Sequence, residues 1–319
     1  MNILLNNTCN MNCSYCFANE VISEDTRFMS KGNFLYSLNL LRKSGEETIK
    51  IMGGEPTLHP KFKEYINIIA NRGFLKNILI FTNGAYDDKL NEVFKEESKR
   101  KRITLLINFN NENDIGSDIY NKVVRNIKSV NKMKNVFITL GLNLYDKNQR
   151  YDYFLDMAED IDGKDDTFRW SVTVPNNGYK KNNPEEYFIE MRDIVVDFLK
   201  DVNSRGLGGN LDCNNFPPCF FSSDNRRELE KLDYDVVHDV LNPRKCEPVI
   251  DVKPNLDVIR CFVFKNPVLN LMGYDNISQI ERDFKSEVDD KFNKAVFEKC
   301  KKCDFYKKNG RSCVCLSYF

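Results

Sequence analysis

Apolar runs rich in Ile, Val, Leu and Phe alternate with segments of helical period as far as Ser204. The runs occupy residues 2–5, 48–52, 77–82, 103–109, 136–144 and 169–174. Continuous apolar runs of this length suit strands buried on both faces, as in a parallel sheet. Residues 31–43, 61–71, 87–99, 118–132 and 150–160 lie between them with helical spacing, and 185–204 follows the last. Strand–helix alternation of this kind predicts right-handed βαβ units. Six such units fall short of the eight that close a barrel. The expected fold class is therefore α/β, a partial (βα)6 TIM-like barrel over residues 1–206. A Gly-rich joint, RGLGG at 205–209, ends the pattern. Beyond it lie Pro217-Pro218, irregular polar stretches and most of the cysteines, so 207–319 reads as a small Cys-rich region folded around metal.

Polar or Gly-bearing segments follow the strand ends at 9–16, 53–56, 82–84, 108–113, 143–147 and 175–178. In α/β barrels the loops after the strands carry the chemistry. Composition narrows the setting. With 41% hydrophobic and 29% charged residues in 319, the chain can bury a core and is not disordered. Lys+Arg and Asp+Glu are both 47, which gives no general pull toward nucleic acid or an anionic membrane. No stretch approaches the ~20 apolar residues of a membrane span, and MNILLNNTCN lacks the basic start and apolar core of a signal peptide. A cytoplasmic location is expected.

Eleven cysteines stand out by position. Cys9, Cys13 and Cys16 fall within one short loop; the other eight lie between Cys213 and Cys315. An odd number of thiols in a reducing compartment argues against a disulfide framework and for metal. Three plus four plus four suits iron–sulfur clusters, four thiolates filling one cluster and three leaving an iron open.

Cys9-x3-Cys13-x2-Cys16, with Tyr15 before the last cysteine, and Gly53-Gly54-Glu55-Pro56 after the second strand resemble the two signatures of the radical S-adenosylmethionine (radical SAM) superfamily. The resemblance implies a [4Fe–4S] cluster on Cys9, Cys13 and Cys16, whose open iron takes the amino and carboxylate groups of S-adenosylmethionine. One electron then cleaves a sulfonium carbon–sulfur bond, and the 5′-deoxyadenosyl radical removes hydrogen from a substrate. It also implies cofactor-binding roles for Tyr15, Gly53, Gly54, Glu55, Pro56, Thr82, Asn83, Asn108, Asn110, Asn143, Arg169 and Ser171. Many relatives carry Ser where Asn108 and Asn110 stand. Glu55 is expected to accept a hydrogen bond from the methionine amino group, and Arg169 to pair with its carboxylate. His59 and His238 are read as structural, and the basic run at 99–102 as a solvated helix cap.

The tail, Cys300-x2-Cys303 and Cys313-x-Cys315 with Cys246 and Cys261 upstream, resembles the SPASM extension and its shorter relative, Twitch. The resemblance implies one or two auxiliary [4Fe–4S] clusters. The preferred partition is Cys213, Cys219, Cys246 and Cys261 for one and Cys300, Cys303, Cys313 and Cys315 for the other. A single cluster on Cys246, Cys261, Cys300 and Cys303 stays open as an alternative, leaving Cys213 or Cys219 as a hydrogen-atom donor. A zinc knuckle at 300–315 is a third.

Such extensions point first to modification of a ribosomally made peptide or a protein side chain, by crosslinking, thioether formation, epimerisation or oxidation. A small-molecule dehydrogenase, acting for example on an aminosugar, and a non-catalytic iron–sulfur or zinc module are the competing expectations. The expected partners are a peptide or small-molecule substrate and an electron donor such as flavodoxin or ferredoxin. With no leader-binding domain expected before Met1, a separate leader-peptide-binding protein joins them. Neither nucleic acid nor membrane is expected.

Overall fold

The structure, a computed structural model, describes residues 1–16, 18, 27–161, 168–173, 182–213, 216–242, 248–262, 267–289, 297–310 and 313. The loop at 175–178, Cys246 and Cys315 lie outside the described residues.

From the amino end run β1 (Asn2–Leu4), α1 (Lys31–Lys43), β2 (Thr48–Met52), α2 (Phe62–Ala70), β3 (Asn77–Thr82), α3 (Leu90–Glu97) and β4 (Arg102–Asn108). There follow α4 (Glu112–Ile115), α5 (Ser117–Asn131), β5 (Val136–Leu144), α6 (Asp152–Asp160), β6 (Phe168–Val172), α7 (Pro184–Ser204) and β7 (Gly209–Leu211). The remainder holds α8 (Ser223–Leu229), α9 (Tyr234–Leu241), β8 (Ile250–Val252), β9 (Asp257–Arg260), β10 (Leu269–Asn270), α10 (Ile277–Glu287) and α11 (Asp304–Asn309). The sheet is open and mostly parallel, as the alternating pattern predicts.

The chain packs as two compact units, neither of them one continuous stretch. The first comprises Met1–Asn12, Phe17–Thr139 and Pro248–Asp290. Its strands run in the order β10-β9-β8-β1-β2-β3-β4 and on to the start of β5. Strands β8, β1, β2, β3 and β4 are parallel neighbours, and β9 and β10 turn back antiparallel. Ile3, Ile49, Ile51, Ile80, Ile103, Leu105 and Ile107 are fully buried, each worth about 1.5–3 kcal/mol relative to exposure. Helix α5 covers the sheet with Val123, Ile127 and Val130, spaced to share one face. Ser30 caps α1, accepting from the Asn33 amide. The Asn2 side-chain amide donates to Asp251 (2.7 Å) and fastens β1 to β8.

The second unit comprises Cys13–Cys16, Leu140–Glu247 and Lys291–Phe319. Here the end of β5, β6 and β7 lie parallel in that order. Trp170, Phe154, Phe168 and Phe198 form its aromatic core. Strand β7 is a correction to the flexible joint expected at 205–209. A Cβ on Gly209 would sit 2.1 Å from the Phe168 ring, so this glycine lets the backbone lie against an aromatic face. The glycine cluster marks close packing there as well as a turn. Strands β8–β10 were also absent from the sequence reading.

Candidate functional site

The first unit builds its site where β2 ends. The Gly54 amide donates to the Asn6 carbonyl (3.0 Å) and the Glu55 amide to the Thr8 carbonyl (2.7 Å). The turn after β2 is thereby laced to the segment that leads into Cys9. Gly54 is required by this approach: an added Cβ would lie 2.3 Å from the Thr8 carbonyl oxygen and 3.0 Å from the Cys9 nitrogen. Gly53 is pressed against Asn6 in the same way. Pro56 starts a short 3-10 turn, where its missing N–H leaves no hydrogen bond unmade. Asn6 Oδ1 and Thr8 Oγ1 beside these glycines are buried without a partner. Such orphaned acceptors fit a polar ligand at this strand end.

Glu55 is fully buried. Its Oε1 accepts from the Thr57 amide (3.2 Å), the Thr57 hydroxyl (2.6 Å) and the Thr82 hydroxyl (2.9 Å), and its Oε2 from the Asn83 amide (2.7 Å). Burial raises its pKa above the usual carboxylate range, and the bonds from Asn83, Thr57 and Thr82 oppose that shift. Glu55 thus ties the end of β2 to the end of β3, a positioning role that sequence reading ranked below ligand contact. Glu55→Gln turns an NH2 group toward a donor at one oxygen or the other. It costs about 1–3 kcal/mol, and a thermal melt of the apoprotein shows it as a Tm several degrees lower. An unchanged melt would refute this bonding pattern.

Thr82 and Asn83 therefore meet Glu55 directly. The Asn83 side-chain amide donates to Asn10 Oδ1 (2.7 Å) and to Cys9 Sγ (3.8 Å), while its Oδ1 accepts from the Ala85 amide (2.9 Å). The Met11 amide also donates to Cys9 Sγ (3.5 Å). Burial pushes the Cys9 thiol up, and the bonds from Met11 and Asn83 pull it down. Asn108 ends β4, and the buried Asn110 side chain donates back to its carbonyl (3.5 Å).

In the second unit, Cys13 and Cys16 close a tight turn, the Cys16 amide donating to the Cys13 carbonyl (3.1 Å). Tyr15 is buried, tilted against Tyr145 at 5.1 Å, and bonded to the Cys13 thiol and the Asn143 amide. Asn143 Oδ1 accepts from Ser171 (2.8 Å) and Thr173 (3.1 Å), hydroxyls at and just past the end of β6. The structure thus brings Tyr15, Asn143 and Ser171 together and adds Thr173, which sequence reading missed; its period-two spacing from Ser171 was the available signal. Arg169 pairs with Asp212 (3.0 Å), so a ligand carboxylate would compete with Asp212 for it.

The tail thiols regroup. Burial first, then the neighbouring Cys219, Cys300 and Cys303, pushes the Cys313 thiol up to about 12. Cys219 is raised by burial and by Cys300 and Cys303, and lowered by Lys299, whose ammonium lies over the Phe220 ring at 3.1 Å. Cys219 therefore keeps company with Cys300, Cys303 and Cys313. Cys213 is exposed, and Cys261 lies in the first unit just past β9 with a left-handed φ of 66°. Among the described residues, no three His, Cys, Asp or Glu side chains close on a point where one ion would sit.

His59 is structural as expected. Its Nδ1 accepts from the Lys61 amide (3.0 Å), so its Nε2 carries the proton and donates to the Met29 carbonyl (2.9 Å). The basic run lies past the end of α3 and is engaged rather than solvated: Lys99 with Glu96, Arg100 with Glu97, and Arg102 over Phe137.

Residues 3–161 match the family model of the Radical SAM superfamily. A GTP 3′,8-cyclase of Pasteurella multocida is 29% identical over 86 residues, 26% of each chain. A probable GTP 3′,8-cyclase of Methanocaldococcus jannaschii is 29% identical over 161 residues, 46% of this chain and 51% of the relative. The chain thus spans about a quarter to a half of these curated relatives. Streptococcus suis SuiB, solved with its precursor peptide SuiA, superposes with TM-score 0.63 at 16% identity, over 96% of this chain and 69% of that one. No helix among the described residues is long and apolar enough to cross a membrane.

Proposed function

Because this chain belongs to the radical SAM superfamily through residues 3–161, we propose that it abstracts hydrogen from a ribosomally made peptide or a protein side chain. One observation carries the choice of substrate: the likeness to a peptide-bound enzyme extends over 96% of the chain and so includes the cysteine-bearing tail. On this reading 1–206 is the radical SAM partial barrel and 207–319 the auxiliary-cluster region.

Cys9, Cys13 and Cys16, close along the sequence, would hold the open [4Fe–4S] cluster. The bound cluster and S-adenosylmethionine supply the electron and the 5′-deoxyadenosyl group that receives the substrate hydrogen. The backbone at Gly53 and Gly54 and the acceptors Asn6 Oδ1 and Thr8 Oγ1 face the methionine amino group. Tyr15 closes its side of the site against water, and Asn143, Ser171 and Thr173 offer a fixed polar edge. Asn108 and Asn110 stand where ribose or carboxylate is bound. Cys219, Cys300, Cys303 and Cys313 form a donor set suited to an auxiliary [4Fe–4S] cluster, with Lys299 offsetting its negative charge. Cys246 and Cys261 remain candidates for a second, and Cys213 for a free thiol. A low-potential donor such as flavodoxin or ferredoxin, a separate leader-binding protein and a cytoplasmic setting complete the reading.

The sequence relatives favour a second reading, a nucleotide substrate, since GTP 3′,8-cyclases match the barrel portion. The two are separated by supplying anaerobically reconstituted protein with dithionite, S-adenosylmethionine and either peptides encoded beside its gene or GTP. The peptide reading expects 5′-deoxyadenosine release stimulated by a peptide, with a mass change in that peptide. Turnover of GTP with no peptide altered would replace it. Iron near eight or near twelve per chain would count two or three clusters, at about four irons each.

A further inference from the structure

Asn83 is expected, from the resemblance alone, among the residues that touch S-adenosylmethionine. Its bonds in the structure point elsewhere. Three of its groups are fixed within the first unit: the backbone N–H by Glu55 Oε2 (2.7 Å), Oδ1 by the Ala85 amide (2.9 Å), and Nδ2 by Asn10 Oδ1 (2.7 Å). Asn10 is in turn held by the Ala85 carbonyl, to which its own amide donates (3.2 Å). The remaining direction of Nδ2 is Cys9 Sγ at 3.8 Å, within range for the larger sulfur acceptor. Cys9 Sγ also takes the Met11 amide, so two N–H dipoles converge on one thiol.

We propose that Asn83 is a positioning residue of the open cluster: its side-chain N–H bonds to the Cys9 ligand sulfur and raises the reduction potential, held in aim by Glu55 and Asn10. This rests on the proposed cluster ligation. The reduced cluster carries one more negative charge than the oxidised one. An N–H dipole aimed at a ligand sulfur stabilises that extra charge, and hydrogen bonds to sulfur are among the terms that set cluster potential. The arrangement also gives the conjunction of Gly53–Pro56 with Thr82–Gly84 a physical reason: the Glu55 carboxylate is the strut that orients the donor.

The test is an EPR-monitored redox titration, with dithionite as reductant, of the signal that S-adenosylmethionine perturbs. Asn83→Asp keeps the acceptor for the Ala85 amide and replaces the N–H donor by an oxygen. Its midpoint falls, the reduction equilibrium becoming about tenfold less favourable, or ~59 mV for one electron. Asn10→Ala leaves Asn83 in place and removes what aims it, so it shifts the midpoint the same way by less. This variant carries the test if Asn83→Asp does not take up iron. Iron content measured beside each titration separates a loading defect from a potential shift. A merely structural Asn83 would lower loading and leave the midpoint of the loaded fraction where the wild type has it; that result overturns the proposal. A wild-type protein with no S-adenosylmethionine-sensitive signal would instead overturn the cluster reading beneath it.

Discussion

Cys13→Ala protein, reconstituted anaerobically and given dithionite and S-adenosylmethionine, releases no 5′-deoxyadenosine above background, while Cys303→Ala protein still releases some. The expectation follows from the separate placing of the two thiols. Cys13 lies in the three-cysteine loop, where removing one ligand leaves two thiolates for a cluster that already has one open iron. Cys303 belongs to the group that contains Cys219, Cys300 and Cys313. Its loss empties or weakens that centre and leaves Cys9, Cys13 and Cys16 as they were. The measurement is 5′-deoxyadenosine per chain by liquid chromatography, normalised to iron bound. Equal loss in both variants would mean that the two regions are not independent centres.

Gly54→Ala is expected to have the second largest effect. The added methyl carbon would stand 2.3 Å from the Thr8 carbonyl oxygen and 2.5 Å from its carbon, both main-chain atoms that cannot rotate away. Overpacking of this kind costs about 1–3 kcal/mol where neighbours can yield. Here yielding means moving residues 8 and 9, and so breaking the Glu55-to-Thr8 bond and displacing Cys9. The variant should melt several degrees lower as apoprotein and take up markedly less iron. Gly73→Ala is the control, since nothing lies within 4 Å of a methyl there. It should melt and load as the wild type does. A Gly54→Ala protein that matches the control would show that the turn after β2 is not pressed against the cysteine segment.

How far the site was legible varied residue by residue. Gly53 and Gly54 were read correctly as places of close backbone approach, because steric need for glycine survives in the sequence as glycine itself. Glu55 was read toward a ligand, yet all four of its bonds are to this chain, from Thr57, Thr82 and Asn83. A carboxylate beside a glycine pair looks the same in sequence whether it meets a cofactor amine or three loop donors. Only the arrival of β3 beside β2 distinguishes the two. Thr173 was missed because a hydroxyl at a strand end carries no mark of its own until Asn143 is placed opposite it.

By itself the sequence determined the six parallel strands, the helices between them and the loop that carries Cys9, Cys13 and Cys16. Local periodicity and fixed short spacings decide these, and both are properties of the chain read in order. Only the tertiary structure decided that residues 250–252 return to pair with β1, that Gly209 lies on Phe168, and that Cys219 joins Cys300, Cys303 and Cys313. Each joins residues far apart along the chain, through hydrogen bonds, packing or burial. No period or spacing encodes such a meeting until the chain has folded.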